Sequence, residues 1–235
     1  MIALGFLLFT YLANRHPWRK RLISSEEFLR TLFIGFLAAI IGGRLLFVLL
    51  DFPMTLQEFI EIFYIWTGGF SLFGSIIAVL LTVSVYLKKK KVPILQFFDL
   101  IALYAPLLQA ISRIGCFLAG CCYGEVASSY IFWSVTFTDP HSLAPIGVAL
   151  HPTQLYSVLA SLLIFVFLRR FSDRLSKVPG KIITTYLLLE SLSRFLVDFW
   201  RWDRGPLYGP LSSMQLIVLS LFVGAAVGLF ALRKP

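Results

Sequence analysis

Seven apolar segments, separated by short polar or charged stretches, follow one another along the 235 residues of the sequence. They cover residues 1–13, 29–50, 62–87, 94–120, 154–168, 182–200 and 211–232. Several approach the ~20 apolar residues that an α-helix needs to cross a bilayer. No internal repeat or low-complexity linker interrupts the series. The pattern predicts an all-α polytopic membrane helix bundle of about seven transmembrane helices, in a single domain of residues 1–235.

Composition supports a membrane protein and excludes an ordinary soluble domain. Hydrophobic residues make up 58% of the chain and charged residues 14%, whereas soluble domains are about 25% charged. Residues 1–13 lack the basic flank and the small-residue cleavage site of a signal peptide, so we expect this segment to be retained.

Most basic residues lie on alternate loops. Fifteen of the 21 lysines and arginines follow the first, third, fifth and seventh segments, among them the four lysines of residues 88–91. Cytoplasmic loops of membrane proteins carry such an excess. We therefore predict an N-out/C-in topology. This distribution accounts for the net charge of +9, and nucleic acid is not a predicted partner.

Five arginines fall instead in the outer halves of the second, fourth and sixth segments or just beyond them. They are Arg44, Arg113, Arg194, Arg201 and Arg204. No lysine accompanies them. The planar guanidinium suits bidentate recognition of a phosphate or carboxylate. We expect a site for an anionic group at the outer face of the membrane.

The sixth segment carries four ionisable residues on one helical face. Glu190, Arg194, Asp198 and Arg201 follow one another at steps of four, four and three residues. Ionisable residues within a membrane are costly and usually functional, which favours a polar substrate site. The alternative is a ladder of i,i+4 ion pairs that neutralises itself and packs the bundle.

The fourth segment ends in the sequence SRIGCFLAGCCYGE. Arg113 and Cys116 are three residues apart and share a helical face. Gly124 permits the close approach of a helix or a lipid headgroup. The alternative is a helix seam of small residues, with one arginine neutralised by an acid from elsewhere.

The three cysteines lie within seven residues, which is no disulfide framework. Cys116 and Cys121, five residues apart, are expected on different helical faces. Cys121 and Cys122 are either inert buried thiols or reactive thiols beside cations. A metal site that recruits His141 and His151 would lack a zinc-type spacing, and no metal is predicted.

The sequence HPTQLY opens the fifth segment at its outer end. His151 can act as a base near neutral pH, or it can be an interfacial helix cap. Gln154 and Tyr156 can donate hydrogen bonds to a headgroup.

Five motifs, in order along the chain, resemble the prolipoprotein diacylglyceryl transferase family. They are Gly42-Gly43-Arg44, residues 66–71 (WTGGFS), the signature around Arg113, residues 151–156 and residues 193–201. The resemblance runs from about residue 11 to the C-terminus. It implies seven transmembrane helices in the bacterial cytoplasmic membrane.

The resemblance also implies a reaction. A diacylglyceryl group passes from phosphatidylglycerol to the thiol of a lipobox cysteine in a prolipoprotein, without a cofactor, and glycerol 1-phosphate leaves. Arg113 and Arg194 match the family's arginines and can stabilise the leaving phosphate. Asp198 stands where a Glu is usual, and Gly124 closes the signature. Phe73 replaces a family histidine.

The candidate residues divide into two groups. The catalytic candidates are Arg113, Arg194, His151, Cys121, Cys122 and Glu190, and the substrate-binding candidates are Arg44, Cys116, Gly124, Gln154, Tyr156, Asp198 and Arg201. Two other functions stay open. One is a paralogue that uses a cysteine nucleophile on the same lipid with a different acceptor. The other is a non-catalytic protein that binds or moves lipid.

Overall fold

Helices dominate the structure. The computed structural model describes residues 1–51, 69–128, 131–205 and 207–232. The helices in this part of the chain are α1 Ile2–Arg15, α2 Pro17–Leu22, α3 Ser25–Asp51, α4 Leu72–Lys89, α5 Ile94–Ala119, α6 Thr153–Leu175, α7 Lys181–Asp198 and α8 Ser213–Ala231. Two antiparallel ribbons pair β1 (Val135–Thr136) with β2 (Ala149–Leu150) and β3 (Leu207–Tyr208) with β4 (Leu211–Ser212).

Five of these helices, α3, α4, α5, α6 and α8, are long and apolar enough to cross a membrane. Large apolar side chains on them are exposed, among them Leu50 (70%) and Leu81 (63%), as a lipid-facing surface requires. The predicted all-α membrane class is confirmed. The predicted number of seven spans is not, because α1 has only 14 residues, about 21 Å of helix, and α7 carries four ionisable residues.

Two predicted features lie outside the described residues. One is the start of the third segment, residues 62–68, which includes the first three residues of the WTGGFS motif. The other is the basic pair Arg233 and Lys234. The N-out/C-in topology stays a prediction. The chain forms two compact units, Met1–Ala13 with Phe98–Pro235, and Asn14–Phe97. The single domain of residues 1–235 therefore also stays a prediction.

In the unit Asn14–Phe97, α3 packs against α4 through glycines. A Cβ atom on Gly42 would clash with the backbone oxygen of Gly74 and with the side chain of Ala78. Small residues let two membrane helices approach closely. The glycine pair that precedes Arg44 is thus explained by helix packing.

In the other unit, α7 packs against α6 and α8, and its start is tied to α5. Asp99 of α5 is buried, and its carboxylate accepts hydrogen bonds from the backbone N–H groups of Gly180 (2.7 Å) and Ile183 (2.8 Å). An acid at a helix N-terminus satisfies donors that the helix itself leaves unpaired. This contact fixes where α7 begins relative to α5.

Candidate active site

The candidate site begins where α5 stops. Gly120 has a φ of +71°, its N–H donates to Phe117 O (3.1 Å), and the N–H of Cys121 donates to Cys116 O (3.0 Å). These two bonds form a Schellman turn. The chain folds back, so that the Cys121 sulfur lies 3.6 Å from Cys116 O. The prediction that Cys116 and Cys121 occupy different helical faces is wrong, because the helix ends at Ala119.

The turn gathers all three cysteines. The sulfurs of Cys116, Cys121 and Cys122 lie within 4.8 Å of one another, and all three are free, half-buried thiols. Cys122 adopts a φ of +59°, an uncommon conformation for a residue other than glycine. His141 and His151, which the sequence offered as further metal ligands, are not part of this group.

Two side chains from the HPTQLY motif donate hydrogen bonds to the segment that carries Cys121 and Cys122, which we call the cysteine loop. Thr153 Oγ1 donates to Cys122 O, and Gln154 Nε2 donates to Cys121 O, each at 2.8 Å. Both side chains are 1% exposed. Gln154, predicted to donate to a headgroup, thus donates to the protein backbone, and its Oε1 has no hydrogen-bond partner among the described residues.

Gly124 sits where three stretches of chain meet. Its N–H donates to His151 O at 2.9 Å, and the N–H of Glu125 donates to Trp200 O at 2.8 Å. A Cβ atom on Gly124 would lie 2.6 Å from His151 O and 2.5 Å from Trp200 O. The glycine is needed for this junction, which joins the end of α5 to the start of α6 and the end of α7.

His151 is 9% exposed, and its Nδ1 lies 3.0 Å from the hydroxyl of Tyr156. Trp133 donates to the same hydroxyl at 2.8 Å. A basic Nε2 requires the tautomer in which Nδ1 carries the proton and donates it to Tyr156. In the other tautomer, Tyr156 donates to Nδ1 and Nε2 is protonated.

In the described part of the chain, no ion pair joins the four ionisable residues of the α7 face to one another; the ion pairs that members of this face form are Arg201 with Asp203 and Arg204 with Asp198. Asp198 is 2% exposed and accepts a hydrogen bond from Ser212 (2.5 Å). It also lies 3.9 Å from Arg204 Nε, while Arg204 donates to Gln215 (3.0 Å). Asp198, predicted to bind substrate, therefore ties α7 to the capped start of α8. Arg204 is one of the five outer arginines expected near a site for an anionic group, and the sequence did not predict these contacts within the protein.

Arg201 is also engaged within the protein. Its guanidinium forms a fork with Asp203, with contacts of 2.8 and 2.5 Å, and is 6% exposed. Its positive charge also acts on the sulfur of Cys122. Burial acts to raise the pKa of Cys122, but the hydrogen bond from Arg201 and the charges of Arg201 and Arg113 outweigh it, so this pKa lies below its ordinary value.

Cys121 behaves in the opposite way. Burial, together with a hydrogen bond to Cys116 and the neighbouring sulfur of Cys122, raises the pKa of Cys121 to about 12. Of the two thiols outside the membrane-spanning helices, only Cys122 is placed to ionise.

Glu190 and Arg194 are the members of the α7 face that keep free hydrogen-bonding capacity. Gln109 donates to Glu190 Oε1 and accepts from Tyr186 at 3.3 Å. Among the described residues, the buried Oε2 of Glu190 and the buried Nη1 of Arg194 have no hydrogen-bond partner. The sequence did not single out Gln109, although it lies one helical turn before Arg113 and so on the same face.

Positive charge accumulates around Arg194. The charges of Arg201 and Arg113 both act on it, opposed by those of Asp198 and Asp203. Asp203 already forms its fork with Arg201, and Asp198 is engaged with Ser212. The arrangement can therefore receive an anion at Arg194, with Arg113 and Glu190 near enough for their charges to act there.

Arg44 belongs to the unit Asn14–Phe97. It is 4% exposed, donates to Gly69 O at 3.1 Å and lies over the ring of Phe47 at 5.7 Å. Its predicted role in substrate binding stays a prediction.

Comparison with known proteins agrees with the motifs. A family model described as "Prolipoprotein diacylglyceryl transferase" matches residues 1–231. A relative from Clostridium tetani, named phosphatidylglycerol--prolipoprotein diacylglyceryl transferase, is 34% identical over 98% of this chain and 89% of its own length. A relative from Clostridium perfringens, whose name adds the number 2, is 32% identical over 95% of this chain and 86% of its own.

A third relative, from Thermotoga maritima, bears the name of the first and is 31% identical over 100% of this chain and 80% of its own length. The match covers the cysteine loop, the HPTQLY motif and the ionisable face of α7. The chain is a member of the prolipoprotein diacylglyceryl transferase family.

Proposed function

We propose that this protein transfers a diacylglyceryl group from phosphatidylglycerol to the thiol of a prolipoprotein lipobox cysteine, at the outer face of the bacterial cytoplasmic membrane. The names of the relatives support the donor and the acceptor. The five apolar helices support the membrane setting.

One structural observation, a buried arginine nitrogen without a hydrogen-bond partner in the described part of the chain, supports the proposal. The buried Nη1 of Arg194 has no partner among the described residues, and like charges of Arg113 and Arg201 act on the same guanidinium. A buried cation without a partner is costly. A phosphate accepts two parallel hydrogen bonds from a guanidinium and would offset that cost. The phosphate of the lipid donor is such a group.

The chemistry follows from this placement. The thiolate of the acceptor attacks the glyceryl carbon that carries the phosphate oxygen, and a carbon–sulfur bond forms as the carbon–oxygen bond breaks. The electron pair leaves with the oxygen of glycerol 1-phosphate. Arg113 and Arg194 stabilise this developing charge more strongly than the charge of the diester, which is the condition for catalysis.

The acceptor thiol must lose its proton to a base. Glu190 offers an oxygen that has no partner among the described residues, close enough to Arg113 and Arg194 for their charges to act on it. His151 can serve only through Nε2, in the tautomer that donates from Nδ1 to Tyr156. The pair of arginines and the carboxylate therefore form the favoured catalytic set, with His151 as the second candidate base.

A second candidate reaction uses Cys122 as the nucleophile, because Arg201 and Arg113 favour its thiolate. Attack by this thiolate on the same lipid would leave a thioether on the enzyme. Glycerol 1-phosphate would leave in that step, as in the first reaction. The Cys122 thiolate is a poor leaving group from a thioether, so the adduct would not pass to another acceptor. Intact-protein mass spectrometry distinguishes the two reactions, since only the second adds a diacylglyceryl mass to the chain.

Reconstitution tests the proposed function directly. The full chain is placed in phosphatidylglycerol vesicles with a synthetic lipobox peptide, and in phosphatidylethanolamine vesicles as the control donor. We expect a thioether on the peptide and an equal amount of glycerol 1-phosphate, only with phosphatidylglycerol and only when the peptide carries cysteine rather than serine. Folded protein that binds phosphatidylglycerol but releases no glycerol 1-phosphate would instead support the non-catalytic lipid-binding alternative.

A further inference from the structure

The proposed reaction leaves the three cysteines of the protein without a task, because the acceptor brings its own thiol. Even so, Cys116, Cys121 and Cys122 converge, with all sulfurs within 4.8 Å of one another. They are free thiols rather than a disulfide. Three thiols this close together can bind one metal ion.

We propose that the sulfurs of Cys116, Cys121 and Cys122 form a three-coordinate binding site for a soft monovalent metal ion, Cu(I). The separations fit this geometry. Three sulfurs around one metal at ~2.3 Å lie ~4 Å apart, so small rotations about the cysteine χ1 angles complete the site.

The surrounding structure holds the ligands in advance. Gly120 makes the turn that returns Cys121 over Cys116. Gln154 and Thr153 fix the carbonyl groups of the two cysteines that follow. Because these buried hydrogen bonds already order the backbone, metal binding would cost less conformational entropy. The uncommon backbone conformation of Cys122 is kept by the same contacts, as happens at functional sites.

The charges nearby suit a thiolate complex. Cu(I) with three thiolates carries two net negative charges, and the guanidinium groups of Arg201 and Arg113 act on the sulfur of Cys122. Positive groups would oppose a bare cation, but they stabilise an anionic complex. The site therefore favours metals that bind only as thiolate complexes.

The number and type of ligands select the metal. No histidine, carboxylate or fourth cysteine of the described residues joins the three sulfurs. Zn²⁺ takes four ligands in structural sites, whereas thiolate ligands favour Cu(I) among the soft ions. A three-sulfur set thus fits Cu(I) better than Zn²⁺.

Titration of the full chain in detergent micelles tests the site. Metal-free protein is titrated anaerobically with Cu(I) against a chromophoric Cu(I) chelator, with Zn²⁺ in a parallel experiment. We expect one Cu(I) per chain. We also expect a loss of affinity of at least about tenfold in each of Cys116→Ser, Cys121→Ser and Cys122→Ser, because losing even an outer-shell partner of a metal ligand lowers affinity by about 10–100-fold. The exposed His141→Ala is the control and should bind Cu(I) unchanged.

X-ray absorption at the copper edge tests the unaltered protein, so the result does not depend on whether the variants fold. We expect three sulfur neighbours. Nitrogen or oxygen neighbours, only two sulfurs, or unchanged affinity in the serine variants would overturn the proposal, as would Zn²⁺ binding at least as tight as Cu(I) binding. Neither measurement uses lipid turnover, so both stand apart from the transferase reaction.

Discussion

The same residue type plays different roles within one short stretch of the sequence, residues 194–204. Arg201 is paired with Asp203, and Arg204 contacts Asp198 and Gln215, whereas Arg194 keeps a buried Nη1 without a partner among the described residues. The three arginines are close in the sequence and cannot be ranked from it. The buried Nε of Arg204 also has no hydrogen-bond partner in the described part of the chain, but it faces the carboxylate of Asp198 at 3.9 Å. Among the described residues, no carboxylate lies within ion-pair distance of Arg194, which therefore keeps the greater capacity for a ligand.

Replacing Arg194 with lysine should abolish most transfer although the charge is kept. Lysine cannot present two parallel donors to a phosphate, and losing one oxyanion donor lowers turnover by about 10²–10³-fold. We expect kcat to fall in the vesicle assay, and Arg113→Lys to behave in the same way. The exposed Arg174→Lys is the matched control. Turnover within a few-fold of the unaltered protein would make Arg194 a structural residue.

Cys122 and Cys121 should differ in their reaction with a thiol alkylating reagent in metal-free protein. The pKa of Cys122 is lowered, so its thiolate appears as the pH rises toward a midpoint below that of a free cysteine. The pKa of Cys121 is about 12, so it should stay protonated and unreactive through neutral pH. Peptide mapping of alkylated protein over a pH series measures both midpoints, and equal rates at the two positions would contradict the prediction.

Three helix ends meet beside the candidate site, whose arginines and carboxylate lie within α5 and α7. The turn after α5, the start of α6 and the end of α7 meet at Gly124, whose N–H donates to His151 O. The junction joins stretches of chain that are distant in sequence, and each stretch presents a different candidate group. A substitution at the junction should therefore displace the candidate groups of the site, although the substituted residue does not itself take part in the reaction.

Gly124→Ala should reduce transfer strongly, because its Cβ would lie within 2.6 Å of three atoms of His151 and Trp200. Gly224→Ala in α8 is the control, since nothing lies within 4 Å of its Cβ and alanine favours a helix by up to about 1 kcal/mol. We expect the first variant to lose at least tenfold in kcat/KM, about 1.4 kcal/mol, and the second to match the unaltered protein. Equal activities would show that the junction tolerates expansion.

The contact between α5 and α7 should be a stability determinant that is separable from chemistry. Asp99→Ala leaves the N–H groups of Gly180 and Ile183 unpaired, which should lower the free energy of unfolding by about 1–3 kcal/mol. Thermal unfolding in detergent measures the loss, and the exposed Asp173→Ala is the control. The transfer rate per folded molecule should not change. A lower rate at full stability would place Asp99 in the catalytic machinery instead.

For the molecule as a whole, the orientation in the membrane decides which side the site faces. The basic loops predict that residues 88–91 are cytoplasmic. The loop 121–153 is then external. Its aromatic residues Phe132 (90% exposed) and Trp133 (51%) would meet the headgroup region, where tryptophan is enriched.

Site-directed labelling tests this orientation. In a background where the three cysteines are replaced by serine, Lys89→Cys should react with an impermeant reagent only after the cells are opened. Phe132→Cys should react in intact cells. Labelling of position 89 from outside would overturn the N-out/C-in topology.

The membrane class and the family could be predicted from the sequence, and so could the residues proposed for the candidate site. Apolar length, the bias of basic loops and short motifs are properties of contiguous residues, and all can be read without coordinates. Arg113, Arg194 and Glu190 could likewise be selected as candidate functional residues from the sequence, because ionisable groups within apolar segments are rare.

The contacts that each of these residues makes could not be predicted from the sequence, because they depend on the folded chain. Helical spacing separated Cys116 from Cys121, but the helix ends between them and the turn at Gly120 brings their thiols together. Spacing also suggested that the charges on α7 pair with one another, whereas Asp198 turns to Ser212 of the next element. Helical periodicity describes one element at a time, and the partners of a buried polar group come from segments that only folding brings into contact.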